Sequence, residues 1–155
     1  MKRLRIYVDT SVFGGCFDTE FSAWSTALMD DFRRDRYALV VSDVTASEVA
    51  MAPAHVQDLF AEIVTQAEKL PVTGEALELL RAYESHQILG PRFRNDMLHI
   101  AIATVAEVDV LVSWNFRHIV RLDKIRLFNG VNLELGYKPL IIYSAREVTT
   151  HGRED

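Results

Sequence analysis

The sequence has little cysteine and few of the residues that typically form linkers. Its 155 residues include one cysteine, Cys16, so no disulfide can form within the chain. Seven glycines and four prolines are spread along the sequence, without a repeat or a low-complexity tract. One domain usually takes about 100–200 residues. We therefore expect a single domain over residues 1–148, followed by a frayed polar tail over residues 149–155.

Long apolar runs and an excess of basic charge are also missing. Lys and Arg number 17 against 22 Asp and Glu, a formal net charge of −5, so a general basic coat for nucleic acid is absent. The apolar stretch 100–112 is interrupted by Glu107 and Asp109, and it falls short of the ~18 residues of a spanning helix. The apolar run 6–8 is too short for a secretory signal, which needs roughly 7–15 residues. We expect a cytoplasmic protein with no membrane partner.

Several catalytic and nucleotide-binding motifs are absent as well. The chain has no Gly-x-Gly-x-x-Gly and no Walker loop, which argues against dinucleotide or P-loop nucleotide binding. It has no Gly-x-Ser-x-Gly elbow, which argues against a serine hydrolase. His99 and His118 form no zinc-binding spacing, so we expect them to be ordinary core or surface histidines.

The periodicity of apolar residues predicts alternating strands and helices. Strands are expected at residues 4–8, 37–41, 108–112 and 140–143, and helices at about 21–35, 54–68, 74–86 and 96–106, with Asn95 capping the last. Short helices are expected after residue 42 and from Phe116. The run 108–112 is continuously apolar, as in a parallel strand covered on both faces. The alternation predicts a three-layer α/β/α fold with a mostly parallel central sheet.

Acidic and polar side chains follow the predicted strands. Asp9 ends the first strand, Glu48 lies shortly after the second, and Asn115 follows the strand at 108–112. Asp96 lies in the first turn of a buried helix. Ligands bind beyond the carboxyl ends of strands in open parallel sheets, so these four side chains can form an oxygen-rich pocket. Mg²⁺ and Mn²⁺ prefer such oxygen ligands. The pattern therefore predicts metal-dependent cleavage of a phosphodiester.

Each of these residues also has an ordinary structural interpretation. Asp9 can cap the following loop, Glu48 can be a solvated helix charge, and Asn115 can be a turn residue. Asp96 can interact only with the helix dipole, which is worth ~0.3–1 kcal/mol. A phosphatase with Asp9 as nucleophile is a further alternative, but the Asp-x-Asp pattern of that chemistry is missing because residue 11 is serine.

Basic side chains lie next to two of the candidate acidic or amide residues. Arg92 and Arg94 precede Asp96, and Arg117 follows Asn115. They can hold the phosphates of an RNA backbone. A solvated helix face is an equally good interpretation of the basic residues after Asn115.

Four sequence blocks, in this order, resemble the motifs of the PIN-domain family. They are YVDTS at 7–11, SDVTASE at 42–48, DMLHIAIA at 96–103 and LVSWNF at 111–116. The resemblance spans residues 5–143. It implies a Rossmann-like α/β/α domain whose acidic pocket binds Mg²⁺ or Mn²⁺ and cleaves RNA. Many small members of the family are VapC-type toxins that a partner antitoxin neutralises.

The resemblance also implies roles for individual residues. Ser11 and Ser113 are implied to support the site, and the fourth acidic position of the family falls on Asn115, which adds no negative charge. The implied metal-binding carboxylates are Asp9, Glu48 and Asp96. Our first hypothesis is a metal-dependent endoribonuclease, the homodimeric toxin of a toxin–antitoxin pair. The alternative is a PIN-like module that binds RNA or protein with weak or lost catalysis.

Overall fold

A central sheet of five parallel strands organises the protein. The structure is a computed structural model that describes residues 2–150. The strands lie in the order β3-β2-β1-β4-β5, and Tyr7 of the central strand pairs with Val40 on one side and Leu111 on the other. This confirms the predicted α/β fold with a parallel sheet. The strands are β1 (Arg5–Val8), β2 (Ala38–Ser42), β3 (Glu68–Leu70), β4 (Val110–Val112) and β5 (Ile142–Tyr143).

Helices cover both faces of the sheet. Within residues 2–150 they are α1 (Thr10–Gly15), α2 (Ser22–Arg33), α3 (Asp43–Ala50), α4 (Ala54–Ile63), α5 (Gly74–Ser85), α6 (Arg94–Val105), α7 (Leu122–Glu134) and α8 (Ala145–Val148). Short 3₁₀ turns precede β3 (Val64–Gln66) and α6 (Pro91–Phe93). No helix among the described residues is long and apolar enough to cross a membrane.

The alternation of side chains along the strands builds two separate apolar cores. Ile6 and Val8 of β1 point to one face, where they pack with residues of α1, α2, α4 and α8. Tyr7, between them, points to the other face, where α5, α6 and α7 pack. Successive side chains of a strand point to opposite faces. Because β1 is apolar at its three buried positions, Ile6 to Val8, the strand serves both cores.

Two elements differ from the sequence prediction in the middle of the chain. The helix expected to run to residue 68 ends at Ile63, and strand β3 follows at Glu68–Leu70. This strand lies at the edge of the sheet and its first two residues, Glu68 and Lys69, are exposed. Charged residues are typical of edge strands, so the segment lacks the apolar pattern by which β3 could be recognised.

Two helix boundaries also differ. α6 begins at Arg94, after a 3₁₀ turn, so Asn95 lies inside the helix and does not cap it. The helix expected from Phe116 begins only at Leu122, because residues 115–118 form a turn.

The C-terminal segment is fixed to α2 by a buried carboxylate. Asp31 accepts hydrogen bonds from the Thr149 hydroxyl (2.8 Å) and from the Thr150 amide (3.0 Å) and hydroxyl. The expected frayed tail therefore does not begin at Thr149, which is buried. Residues 151–155 of that tail lie outside the described part of the chain.

Candidate functional site

The sheet topology brings the predicted site residues together beyond the carboxyl ends of the strands. Asp9 follows β1, Ser113 follows β4, and Glu48 lies on α3, which starts at the end of β2. Asp96 lies in the first turn of α6. β1 is the first strand, and the chain builds the sheet outward from both of its sides. Ligands bind at such a switch point in open α/β sheets.

Asp9 is held by two serines. Its side chain is 5% exposed. Its Oδ1 accepts hydrogen bonds from the Ser11 amide (3.1 Å) and hydroxyl (2.6 Å), and its Oδ2 accepts one from the Ser113 hydroxyl (2.5 Å). Because the backbone of Asp9 is extended and its carboxylate caps α1, a helix begins where the sequence predicted only a loop. The capping role and a place in the candidate site therefore coexist at Asp9.

The same two serines attach the loop after β4 to the end of β1. The Ser11 hydroxyl accepts a hydrogen bond from the Trp114 amide (2.9 Å), and the Ser113 hydroxyl accepts one from the Asn115 amide (2.9 Å). Each hydroxyl thus donates to Asp9 and accepts from the backbone of this loop. The structure thus brings both serines to Asp9, and their supporting role in the site stays a prediction.

Glu48 is bonded to a histidine that the sequence analysis did not assign to the site. Glu48 Oε1 accepts hydrogen bonds from the Thr10 hydroxyl (2.8 Å) and from Nε2 of His99 (2.6 Å). The other ring nitrogen, Nδ1, lies 2.6 Å from the hydroxyl of Tyr7, which also bonds to Ser42 (2.7 Å). His99 is buried, as expected of a core histidine. Its position three residues after Asp96 on the same helix face is the signal that could have placed it at the site.

Asp96 is bonded to a second histidine and to Asn115. Its Oδ2 lies 3.0 Å from Nδ1 of His118 and accepts a hydrogen bond from the Asn115 amide group (3.3 Å). The His118 ring packs on Phe93, with 3.9 Å between ring centroids. His118, expected to be an ordinary histidine, therefore also lies beside a candidate metal ligand.

Asn115 organises the turn in which it lies. Its side-chain oxygen accepts hydrogen bonds from the backbone amides of Arg117 (3.2 Å) and His118 (2.9 Å), while its nitrogen donates to Asp96. An aspartate can accept the two backbone bonds, but it has no N–H to donate to a carboxylate. An asparagine side chain at this position can therefore satisfy both the two backbone amides and the Asp96 carboxylate.

The environment shifts the pKa values of two of the carboxyls in opposite directions. Burial raises the pKa of Asp9, and the neighbouring Asp96 adds to this, whereas His99, Ser11 and Ser113 oppose it. Burial acts to raise the pKa of Glu48, but His99, through its hydrogen bond and its proximity, together with Thr10 and Asn95, outweighs this effect. The pKa of Glu48 thus lies below its ordinary value.

The oxygen atoms of Asp9 and Asp96 are of the type that a hard cation prefers, but two carboxylates are few ligands for one. Asp9 and Asp96 offer carboxylate oxygens, which Mg²⁺ and Mn²⁺ prefer, and Asp96 lies close enough to raise the pKa of Asp9. A cation beside Asp9 would offset the cost of its burial. However, no group of three or more His, Cys, Asp or Glu side chains within residues 2–150 is arranged to hold a metal. Glu48 is directed instead to His99.

The three candidate RNA-binding arginines are exposed. The Arg92 guanidinium lies 4.9 Å from the centroid of the Phe93 ring, and Arg94 Nε lies 3.9 Å from a Glu84 oxygen. Arg117 belongs to the turn after Asn115 and makes no ion pair with a carboxylate of the described residues.

Comparisons with known proteins identify the fold. No protein-family model matches the chain, and no curated protein matches it. Solved structures similar over nearly the whole chain include the following two. VapBC2 from Rickettsia felis, bound to a DNA fragment from its promoter, has a TM-score of 0.60 at 12% identity and covers 91% of this chain and 98% of its own. FitAcB from Neisseria gonorrhoeae has a TM-score of 0.58 at 12% identity and covers 92% and 99%.

The fold matches that of PIN-domain structures. At 12% identity this likeness shows the fold alone. The polar network around Asp9, Glu48 and Asp96 is formed by this chain's own residues, and its chemistry depends on them.

Proposed function

We propose that this chain is a metal-dependent endoribonuclease of the PIN type and the toxin of a toxin–antitoxin pair. One observation carries the proposal, a continuous hydrogen-bonded path between two buried or half-buried carboxylates. It runs from Asp9 through Ser113 and Asn115 to Asp96. The path lies beyond the carboxyl ends of β1 and β4, where α/β sheets bind their ligands.

The contacts of the side chains support a role for each. Asp9 and Asp96 would hold a Mg²⁺ or Mn²⁺ ion, which would neutralise phosphodiester charge and lower the pKa of a bound water. Ser11 and Ser113 fix the Asp9 carboxylate, and Asn115 fixes that of Asp96. Glu48, whose lowered pKa favours the charged form, joins the metal ligands or accepts a proton from the attacking water.

The proposed partners have separate grounds. The two similar structures are toxin–antitoxin complexes, which supports an antitoxin protein as partner. RNA as substrate is supported by the resemblance of the motifs to the PIN family. It is also supported by three exposed arginines that can bind phosphates: Arg92 and Arg94, which precede Asp96, and Arg117, which follows Asn115. A homodimer of the toxin and a cytoplasmic location complete the proposal.

The direct test is cleavage of a mixed RNA pool by the purified chain with Mg²⁺, Mn²⁺ or EDTA. We expect cleavage with either metal, none with EDTA, and loss of at least about 100-fold in Asp96→Asn. Asp123→Asn is the matched control, because Asp123 also lies in the first turn of a helix but its carboxylate pairs with Arg121 and not with His118 or Asn115. Cleavage that persists in EDTA or in Asp96→Asn contradicts the proposal.

A second candidate function is favoured by the histidine contacts. Glu48 and Asp96 are each bonded to an imidazole, and the described residues contain no three-ligand metal group. A PIN-like module that binds RNA or protein without turnover needs no such group. It predicts RNA or partner binding that survives Asp9→Ala, together with no metal-dependent cleavage by the wild-type chain.

A further inference from the structure

Phe116 is an exposed aromatic ring directly beside the candidate site. It is 49% exposed. Its ring centroid lies 6.0 Å from that of Trp114, nearly edge to face, and 6.2 Å from that of Phe21. Phe21 and Trp114 stack on each other at 4.2 Å and 15°. The three rings therefore form a cluster with a packed base, Trp114, and a solvent-facing end, Phe116.

The exposed Phe116 lies in a turn that is held together by hydrogen bonds to Asn115. The backbone oxygen of Asn115 accepts hydrogen bonds from the amides of Ile119 (3.1 Å) and Val120 (2.8 Å). Its side-chain oxygen holds the amides of Arg117 and His118. The turn that carries Phe116 is thus bonded from within, which fixes the backbone at the position of the ring.

The neighbours of the ring favour a polyanionic ligand over an apolar one. Asn115, directly before Phe116, contacts Asp96. Arg117, directly after it, is exposed and makes no ion pair with a described carboxylate. A guanidinium without a carboxylate partner can bind a backbone phosphate. An exposed aromatic ring beside an unpaired cation is typical of surfaces that bind single-stranded nucleic acid.

We propose that the Phe116 ring is a stacking platform for an unpaired nucleobase of the substrate. This inference rests on the proposed function and adds a residue that positions the substrate at this site. The residues on either side of Phe116 in the chain are Asn115, which bonds to Asp96, and the exposed Arg117, which can bind a phosphate next to the stacked base. The bases of a duplex stack on each other inside the helix, so paired RNA cannot present one to this ring. Stacking is sequence-tolerant because every base has a π-face.

The test measures binding with cleavage suppressed. The purified chain in EDTA is titrated against a fluorescent single-stranded RNA of about 10 nucleotides and against the same RNA annealed to its complement. We expect Phe116→Ala to weaken single-strand binding about 5- to 30-fold and Phe116→Trp to preserve it. Phe17→Ala is the matched control, since Phe17 is also half exposed (50%) but contacts His55 on α4.

A spectroscopic readout separates stacking from a merely structural role of the ring. With 2-aminopurine at successive positions of the oligonucleotide, wild-type and Phe116→Trp protein should quench one position strongly, and Phe116→Ala should not. An abasic residue at that position should weaken binding to the wild-type chain but not to Phe116→Ala.

The failure of this inference is distinct from failure of the proposed function. If the chain cleaves RNA with metal and Asp96→Asn does not, but Phe116→Ala binds as the wild type does, the platform is wrong and the nuclease stands. Equal affinity for single-stranded and paired RNA also overturns the platform. If the wild-type chain neither binds nor cleaves RNA, both proposals fail, and the exposed ring is left for contact with a protein.

Discussion

His99 connects the hydroxyl of Tyr7 in the central strand to the carboxylate of Glu48 at the candidate site. Its two ring nitrogens lie 2.6 Å from the Tyr7 hydroxyl and 2.6 Å from Glu48 Oε1. Tyr7 is itself bonded to Ser42 at the end of β2. Since the ring is buried and held at both ends, the direction of the Glu48 carboxylate is set by the core of the sheet.

Replacement of His99 by leucine should therefore cost stability. Glu48 and Tyr7 both lose a hydrogen-bond partner, although Glu48 is half exposed and Tyr7 keeps Ser42. We expect a loss of about 1–3 kcal/mol in the free energy of unfolding, measured by urea denaturation. Tyr7→Phe is the comparison, because it keeps the His99–Glu48 contact and should cost less, about 1 kcal/mol. A His99→Leu variant as stable as the wild type would show that the contact does not hold Glu48.

A second prediction concerns the charge of Asp9 in the absence of metal. Burial raises the pKa of Asp9, so its charged form is disfavoured in the folded chain. Asp9→Asn removes the charge but keeps an oxygen to accept the bonds of Ser11. In EDTA we expect it to melt at the wild-type temperature or above. Asp9→Ala also removes the cap of α1, and it should lose about 1 kcal/mol.

Metal should raise the melting temperature of the wild type above that of Asp9→Asn. Mn²⁺ that binds only the folded wild type raises its melting temperature by mass action, and neither variant retains that site. Thermal unfolding with EDTA and with Mn²⁺ measures both halves. If Mn²⁺ raises the melting temperature of Asp9→Asn as much as that of the wild type, Asp9 is not a metal ligand.

The sequence allowed the strand-end residues to be predicted, but not their contacts. Asp9 and Ser113 end two apolar runs, and parallel strands bring such ends together. The bond of His99 to Glu48 joins residues 51 positions apart, and no local pattern encodes that pairing. Strand β3 was missed for a related reason, since its place is fixed by pairing with β2 and not by its own composition.

The bond network of Asp31 predicts a loss of stability in acid. The pKa of Asp31 is lowered because the bonds of Thr149, Thr150 and Arg36 outweigh the effect of its burial. A carboxyl with a lowered folded-state pKa contributes stability above its unfolded pKa, ~3.9, and loses it as the pH falls through the folded pKa. We expect Asp31→Asn to be less stable at pH 7 by about 1–3 kcal/mol, and the difference to shrink below pH ~4.

Unfolding followed by circular dichroism from pH 7 to pH 2 checks the Asp31 prediction. Asp58→Asn, an exposed acid on α4, controls for the loss of one negative charge. A constant stability difference between Asp31→Asn and the wild type over this range would mean that the charge of Asp31 does not hold the C-terminal segment.

Gly15 and Gly14 offer a matched pair that tests the packing under the loop after β4. A Cβ at Gly15 would lie 2.6 Å from Ser25 Oγ and 2.7 Å from Trp114 Nε1, two atoms that are themselves hydrogen-bonded. Gly15→Ala should therefore displace Trp114 and cost about 1–3 kcal/mol by overpacking. At Gly14 an added Cβ meets nothing within 4 Å. Gly14→Ala should be neutral or stabilising by up to ~1 kcal/mol, because alanine favours the helix.

The displacement of Trp114 reaches the candidate site through its backbone, since the Trp114 amide bonds to the Ser11 hydroxyl that holds Asp9. Gly15→Ala should therefore shift the tryptophan emission spectrum and weaken Mn²⁺ binding several-fold, with neither change in Gly14→Ala. Calorimetric Mn²⁺ titration of the two variants measures this difference. If Gly15→Ala is destabilised but binds Mn²⁺ as the wild type does, the ring cluster supports the fold and not the carboxylates.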